Sequence, residues 1–209
     1  MQLKKDYYYL DENALNDFID RFALSCLDDG DSFHSDDTIG KINCIKEAFN
    51  YMLSSKELTE EVLKTTANKV NKYAWWILNG YRNLSVHLYN AEVTNTSQPG
   101  KVEKEVAEVI EKYNSDWQDM DLFQRETNLF LRLIAIRPFE DGNCRTAMVV
   151  LNSNLIKNGY PPIIMPKEME ELRDNLLNNK DMMGLENLFK QLSDQLKKED
   201  ETNEKHKGR

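Results

Sequence analysis

One short stretch of the sequence, IRPFEDGNCRTA at positions 136–147, combines residue types that can bind phosphate. It lies between two apolar runs, and the second run is expected to form a helix, whose first N–H groups can bind an anion. Gly142 permits a close ligand approach, Asn143 carries an amide that can donate to a phosphoryl oxygen, and Arg145 offers a planar fork of donors. Asp141 can hold Mg²⁺, which proteins usually bind through one or two carboxylates together with substrate phosphates. The stretch therefore predicts a phosphate-binding loop.

The same residues also suit an ordinary turn. Glycine and asparagine tolerate positive φ angles, and in this stretch they follow the sequence PFED. On pattern alone, the turn and the phosphate-binding loop are about equally well supported. In either case Pro138 and Phe139 are expected to anchor the loop, with the phenyl ring pointing into the core.

The composition is that of a soluble globular domain. The 209 residues are 40% hydrophobic and 30% charged, enough for a sizeable core. No apolar run approaches the ~20 residues of a membrane-spanning helix, and no secretory signal is visible. Three cysteines without metal-ligand spacing predict a reducing compartment, the cytoplasm. A net charge of −9 argues against a general nucleic-acid binder but leaves room for a local basic pocket.

Helical periodicity dominates the first eighty positions. One helix is predicted to begin after Asp11, and a second follows the turn-rich stretch DDGDSFHSDD. A third is predicted to run from a cap at Thr59 to about Asn79, with Gly80 just past its end. The apolar stripes of the first two helices are Leu15, Phe18, Ile19, Phe22 and Cys26, and then Ile42, Ile45, Phe49 and Met52.

Further helices are predicted on both sides of the candidate loop. They cover residues 101–117, 122–136 and 145–159, and Pro138 ends the second of them. The third is apolar on most sides, which is typical of a central buried helix. Pro166 is predicted to open another helix at its first position. The last predicted helix carries the apolar stripe Leu185, Leu188, Phe189, Leu192 and Leu196.

Two segments break this helical pattern. Residues 81–100 mix apolar and polar positions with turn-forming residues, which predicts a short β-hairpin or an extended flap. Residues 197–209 have mixed charge and no apolar anchor, which predicts a disordered tail. The predicted fold class is therefore mainly α with one small β element.

The candidate loop resembles the signature of the Fic (Fido) domain family, His-Pro-Phe-x-(Asp/Glu)-Gly-Asn-Gly-Arg. The flanking stretches ETNLFLRLIAI and TAMVVLNSNLIKNGYPPI resemble the helices that surround this signature, and GYRNLSVHL resembles the entry to the family's flap. The resemblance implies a helical extension at 1–58, a Fic core with a β-hairpin flap at 59–196, and a tail at 197–209. The signature residues that this sequence keeps are Pro138, Phe139, Asp141, Gly142, Asn143 and Arg145.

The resemblance implies AMPylation, the transfer of AMP from ATP to a hydroxyl of a target protein, although some members of the family transfer other phosphate-containing groups. It implies Mg²⁺ held by Asp141, and a flap that aligns the target segment by strand addition. The expected partners are ATP and a target protein, with no nucleic acid and no membrane. The residues placed at the nucleotide are Gly142, Asn143, Cys144 and Arg145. The residues placed in the flap are His87, Glu92 and Val93.

Three positions depart from the signature. Arg137 stands where the family has its histidine base, and an arginine cannot accept a proton because its pKa lies above about 12. Cys144 replaces the second glycine, and Met148 stands where a second arginine would follow. Cys144 need not impair the site, but the changes at Arg137 and Met148 predict a nucleotide-binding protein that is a weak or inactive adenylyltransferase, a pseudoenzyme.

Two other interpretations stay open. An active transferase would need an atypical base, for which His87 is the nearest candidate in the sequence, or a substrate that loses its own proton. Alternatively, the fold serves as an interaction scaffold that binds no nucleotide. The role of Arg137 is open as well, since it either adds positive charge at the phosphates or reflects drift after activity was lost.

Overall fold

The computed structural model describes residues 10–26, 38–73, 79–85 and 96–207. Within these ranges the chain forms eight α-helices and two short 3₁₀ turns, at Pro99–Lys101 and Lys167–Met169. The predicted flap residues His87, Glu92 and Val93 lie outside the described ranges. The helices are α1 Glu12–Ser25, α2 Thr38–Ser54, α3 Glu60–Val70, α4 Val102–Asn114, α5 Leu122–Ile136, α6 Asn143–Lys157, α7 Glu170–Asn178 and α8 Met182–Lys207.

Helix α6 forms the centre of the bundle. Every residue from Arg145 to Leu155 is buried, and the helix packs against α2, α3 and α5. Helix α5 packs in turn against α4 and α8, whose predicted apolar stripe is buried. Because an all-round apolar helix is stable only when other helices enclose it, the sequence pattern places α6 correctly at the centre. The loop of interest lies directly before this helix.

Local capping signals fix the beginnings of two helices. The Asp11 carboxylate accepts a hydrogen bond from the backbone N–H of Ala14 at 2.8 Å, and α1 begins at the next residue. The Thr59 hydroxyl accepts one from the N–H of Val62 at 3.1 Å, and α3 begins at Glu60. Both starts confirm the sequence predictions, since a side-chain oxygen at this position satisfies a first-turn N–H group.

The end of α3 was predicted wrongly. The helix stops at Val70 and not near Asn79, and Asn71 occupies its C-cap position. Asn71 is 6% exposed, and its Nδ2 atom donates to the carbonyl oxygen of Asp141 at 2.9 Å. The C-cap residue of α3 is thus held by a contact across seventy residues, whereas Gly80, with a φ of 94°, lies well beyond the helix end.

Three other predictions of secondary structure meet different outcomes. Pro166 precedes a 3₁₀ turn and is not the first residue of an α-helix. Helix α8 continues to Lys207, so the backbone is helical where composition predicted disorder from residue 197. The buried stripe nucleates this helix, and the following Lys and Glu residues propagate it readily. No strand occurs among the described residues, and the centre of the predicted hairpin lies outside them.

A buried carboxylate links three of the helices. Glu126 of α5 is 1% exposed, and its Oε1 atom accepts from the Tyr113 hydroxyl of α4 at 2.7 Å. Its Oε2 atom accepts from the Asn154 amide of α6 at 2.8 Å, and Arg125 donates to Oε1 at 3.1 Å. Burial raises the pKa of Glu126, although these donors oppose the shift. The network fixes α4, α5 and α6 relative to one another.

None of the described helices is both long and apolar enough to cross a membrane.

Candidate functional site

The loop between α5 and α6 begins at a residue with a left-handed backbone. Arg137 is the C-cap of α5, with φ 50° and ψ 68°, and its N–H group donates to the carbonyl of Leu133 at 2.9 Å. A residue with a Cβ atom adopts this conformation at a cost of roughly 1–2 kcal/mol. The surrounding structure therefore has to hold Arg137 in place, and hydrogen bonds from Arg82 to the backbone of Arg137 and Pro138 do so.

Asn143, the first residue of α6, closes the loop on itself. Its Oδ1 atom accepts from the N–H group of Phe139 at 3.0 Å, and its Nδ2 atom donates to the carbonyl of Phe139 at 2.8 Å. The Asn143 amide thus shapes the backbone through its oxygen and one N–H group, and its second N–H group leaves the predicted donation to a phosphoryl oxygen as a prediction. Asn143 thus determines how the loop presents the start of α6.

The N-cap of α6 has no side chain. Gly142 occupies this position with φ 68°, and no side-chain hydrogen bond caps the helix. Because glycine leaves the approach to the first-turn N–H groups open, oxygens of an anionic ligand can take the place of a capping side chain. No capping side chain therefore competes with a phosphate for these N–H groups.

Glycine is also the residue type that fits against Asn71 at position 142. A Cβ atom on Gly142 would lie 2.3 Å from Oδ1 and 3.0 Å from Cγ of Asn71. Asn71 has little freedom to move away, because its amide is buried and bonded to the Asp141 carbonyl at 2.9 Å. Position 142 thus requires glycine for two reasons: Asn71 lies close to it, and its φ angle is positive.

We expect Gly142→Ala to lower the free energy of unfolding by about 2 kcal/mol, since it combines a positive φ with a steric collision. Gly80→Ala is the matched control, because Gly80 has a φ of 94° and no atom of the described residues lies within 4 Å of an added Cβ. We expect this control to lose about 1 kcal/mol from the backbone conformation alone. Urea unfolding of both variants measures the difference. Equal losses in the two variants would contradict the role assigned to Asn71.

Arg145 and Asp141 form the charged part of the site. Arg145 is 3% exposed, and its Nη2 atom donates to the Tyr73 hydroxyl at 3.2 Å and to Oδ2 of Asp141 at 3.3 Å. Asp141 Oδ1 accepts from the N–H group of Gly142 at 2.6 Å. The Arg145 guanidinium is thus held beneath the loop, where its charge favours an anion at the α6 N-terminus.

A magnesium ion fits this site only together with a phosphate ligand. The described residues contain no group of three or more His, Cys, Asp or Glu side chains that could hold a metal. The Asp141 side chain is 35% exposed, so it can offer one carboxylate. One carboxylate completed by substrate phosphates and water is an arrangement that Mg²⁺ commonly adopts. Asp141 is therefore compatible with the metal role that the sequence predicted.

Arg82, which no sequence pattern marked, holds the loop entrance. It is 2% exposed. Its guanidinium donates to backbone carbonyls at the end of α5 and in the segments at both ends of the predicted flap. Its own N–H group donates to the carbonyl of Pro138 at 2.8 Å. The carbonyl oxygens that accept from its side chain belong to Leu84, Ser97, Ile136 and Arg137. Arg82 therefore ties the base of the predicted flap to the loop.

The positively charged side chains of Arg82 and Arg137 both lie at this entrance. Burial lowers the pKa of the Arg82 guanidinium, Glu105 opposes this shift, and the charge of Arg137 adds to it. Arg137 therefore lies close enough to Arg82 for the two charges to repel. The first position of the loop thus carries a positively charged side chain and no group that can accept a proton.

The hydrophobic part of the loop packs into the core. Phe139 is 3% exposed, and its ring centroid lies 5.9 Å from that of Tyr81. The Tyr81 hydroxyl donates to Oε2 of Glu60 at 3.1 Å, and burial raises the pKa of Tyr81. Pro138 is also buried. These contacts fix the near side of the loop against α3.

A pocket lies on the other side of the α6 N-terminus. It is formed by the C-terminal part of α1, the first turns of α6 and the segment from Met165 into α7, and we call it the α1–α6–α7 pocket. Two of the positions that depart from the Fic signature, Cys144 and Met148, line it beside Arg145. The other lining residues are Phe22, Ser25, Cys26, Met165, Glu170 and Arg173.

These features define a class of protein: a helical bundle that presents an uncapped helix N-terminus, a closed loop and a buried arginine to an anion. Comparison with known proteins identifies the family. Residues 55–155, just under half of the chain, match the family model described as Fic/DOC family, so this stretch is a Fic domain. Its fold is correspondingly the helical Fic fold.

Three similar proteins illustrate the relationship. Protein adenylyltransferase fic-1 of Caenorhabditis briggsae is 34% identical over 71 residues, which are 34% of this chain and 14% of that protein. A Fic-domain-containing signalling protein from Bacteroides thetaiotaomicron has a TM-score of 0.74 at 19% identity, covering 85% of this chain and 83% of that one. BepC of Bartonella tribocorum with bound AMPPNP has a TM-score of 0.58 at 13% identity, covering 91% and 94%. The chain thus matches only a small part of the length of its curated relative.

Proposed function

We propose that this chain binds ATP with Mg²⁺ at the N-terminus of α6 and transfers AMP very slowly or not at all. The observation that carries the proposal is the shape of the loop. Asn143 closes it, Gly142 leaves the helix uncapped, and Arg145 lies buried beneath it, while Arg137 occupies its first position. The site thus combines groups suited to a polyphosphate with the absence of a base at Arg137.

The similar proteins support the choice of nucleotide. The relative from Caenorhabditis briggsae is named a protein adenylyltransferase, and the neighbour from Bartonella tribocorum holds AMPPNP. Mg²⁺ would be held by Asp141 and the phosphates, and it would neutralise charge on the nucleotide. The first-turn N–H groups of α6 and the Arg145 guanidinium would orient the phosphates. All of these groups come from the loop or from α6.

AMP transfer is expected to be slow because no residue at the loop removes the proton of the target hydroxyl. In AMP transfer a hydroxyl of the target attacks the α-phosphorus of ATP, pyrophosphate leaves, and the hydroxyl proton has to be removed. General-base assistance is typically worth about 10²–10⁴ in rate. Arg137 cannot provide it because a guanidinium stays protonated at working pH.

The target protein and the compartment remain predictions from the sequence. The flap residues that would contact a target, His87, Glu92 and Val93, lie outside the described residues, and so does His34. No described contact therefore favours a substitute base. The cytoplasmic location is proposed on the number and spacing of the cysteines.

Thermal unfolding with and without Mg·ATP tests the proposal. A ligand at about 100-fold excess over its dissociation constant stabilises the native state by about 2.7 kcal/mol. For a chain of this size that corresponds to a rise in Tm of about 5–10 °C. We expect this rise in the wild-type protein. No rise at saturating Mg·ATP would contradict the proposal and would favour an interaction scaffold.

A charge variant locates the bound nucleotide. Cys144→Glu places a carboxylate in the first turn of α6, where it favours the helix dipole but repels phosphate. We therefore expect a folded variant without the Tm rise. Gln124→Glu is the matched control, since it adds the same charge to the first turn of α5, about 20 Å along that helix from the loop. A rise retained in Cys144→Glu would place the nucleotide elsewhere, and loss of the rise in both variants would show that the added charge acts regardless of its position.

A further inference from the structure

The Asp141 side chain contacts the guanidinium that the proposed function assigns to the phosphates. Its Oδ2 atom accepts from Nη2 of Arg145 at 3.3 Å. Its Oδ1 atom accepts from the N–H group of Gly142, the N-cap residue of α6, at 2.6 Å. An ionised carboxylate offers acceptor oxygens only. Asp141 is therefore an internal anion at this site, and a phosphate has to compete with it for Arg145.

The carboxylate is the more accessible member of this ion pair. The Arg145 side chain is 2% exposed, whereas the Asp141 side chain is 35% exposed. The charge of an arginine buried to this degree is screened by little water, so it is attracted strongly to a carboxylate that touches it. The charge of Arg145 is consequently balanced within the protein, and the site attracts an anion less than its arginine alone would.

The contact between the two side chains can open while the loop keeps its shape. Its length of 3.3 Å is greater than the usual length of a charge-assisted hydrogen bond, about 2.7–2.9 Å. Asp141 therefore gives up this hydrogen bond readily when another anion replaces it at Arg145. The Asp141 backbone is anchored separately, since its carbonyl oxygen accepts from the Asn71 amide at 2.9 Å. A rotation of the side chain thus changes the partner of Oδ2 without moving the loop.

We propose that Asp141 makes this site selective for phosphates that carry a divalent cation. Toward a metal-free nucleotide, the Asp141 carboxylate neutralises Arg145 and repels the phosphates. Toward a nucleotide complexed with Mg²⁺ the same carboxylate is attractive, and Asp141 releases Arg145 to the phosphates as it turns to the metal. This inference rests on the proposed function and goes beyond it, because it gives Asp141 a second task, the exclusion of metal-free anions.

Binding of ATP with and without metal tests this task. Dissociation constants are measured by titration calorimetry in Mg²⁺ and in EDTA for wild type and Asp141→Asn, which keeps the side-chain size and removes the charge. We expect the variant to bind metal-free ATP about 10-fold more tightly than wild type does, because Arg145 is no longer neutralised. It should also lose most of the preference for Mg·ATP. A carboxylate that served only as a metal ligand would leave metal-free binding unchanged.

Glu140→Gln is the matched control for charge, since it removes one carboxylate from the adjacent position of the same loop. We expect it to change the affinity for metal-free ATP by less than about 3-fold, because the task assigned to Asp141 depends on its contact with Arg145. An equal gain in Glu140→Gln and Asp141→Asn would mean that net charge alone sets the affinity, and it would overturn the inference.

The possible failures are distinguishable. Mg·ATP binding to wild type, with metal-free binding unchanged or weakened in Asp141→Asn, overturns the inference and leaves the nucleotide site in place. Equal affinities of wild type in Mg²⁺ and in EDTA do the same. No binding of Mg·ATP to wild type overturns the proposed function and this inference with it. Should Asp141→Asn unfold, Asp141→Ala removes the same charge, and the absence of a gain in metal-free binding there overturns the inference.

Discussion

Replacing Arg137 by histidine is expected to raise the rate of AMP transfer from ATP by about 10²–10⁴-fold, the usual worth of a general base. Histidine tolerates the left-handed backbone that this position requires, with its φ of 50°, better than most residues with a Cβ atom. The variant should therefore fold normally. Transfer is measured as α-label from ATP that stays on protein after denaturation, with the chain itself and added cell proteins as acceptors.

The control for this variant separates the base from the charge. Arg137→Gln removes the positive charge without adding a proton acceptor, and it should give no comparable gain. An equal gain in both variants would mean that the charge of Arg137 blocks transfer. No gain in Arg137→His, with ATP binding intact, would contradict the assignment of Arg137 as the cause of slow transfer.

Replacing Arg82 by methionine is expected to lower the free energy of unfolding by about 3 kcal/mol or more. The substitution leaves several backbone carbonyls around the loop without their charged donor, and each buried unsatisfied group costs about 1–3 kcal/mol. The measurement is urea unfolding, in which the free energy of unfolding should depend on urea concentration with the same slope in the variant and the wild type. Because the Arg82 contacts hold Arg137 and Pro138, we also expect the Tm rise with Mg·ATP to disappear.

Two further variants test the geometry of Arg82. Arg82→Lys keeps the charge but cannot reach carbonyls on several segments at once, so it should lose most of the stability as well. Arg132→Met removes an exposed arginine of α5 and should change stability by less than about 0.5 kcal/mol. Wild-type stability in Arg82→Lys would contradict the role of the Arg82 guanidinium at the loop entrance.

The sequence correctly predicted the helix boundaries that are set by residues nearby in the chain. Helix α5 has the bounds Leu122–Ile136 that periodicity and Pro138 indicate, and α6 is buried all round as its composition suggests. The caps at Asp11 and Thr59 act within three residues of themselves. In each case the decisive contact lies within one or two helical turns, which is the range that a sequence pattern records.

The features that were missed depend on distant contacts. Asn71, the C-cap of α3, bonds to Asp141, seventy residues away, and Arg82 reaches the end of α5 across more than fifty residues. The family signature located the loop, but the use of the Asn143 amide inside it followed only from the folded backbone.

Equilibrium dialysis of the wild-type chain against α-labelled Mg·ATP, followed by denaturation of the recovered protein, tests the central claim most directly. We expect label that is retained by the native protein, absent from Cys144→Glu, and lost on denaturation because it is not covalently bound. Absence of label from the native protein would show that the loop holds no nucleotide. Label that survives denaturation at a level matching Arg137→His would show a working transferase and contradict the role assigned to Arg137.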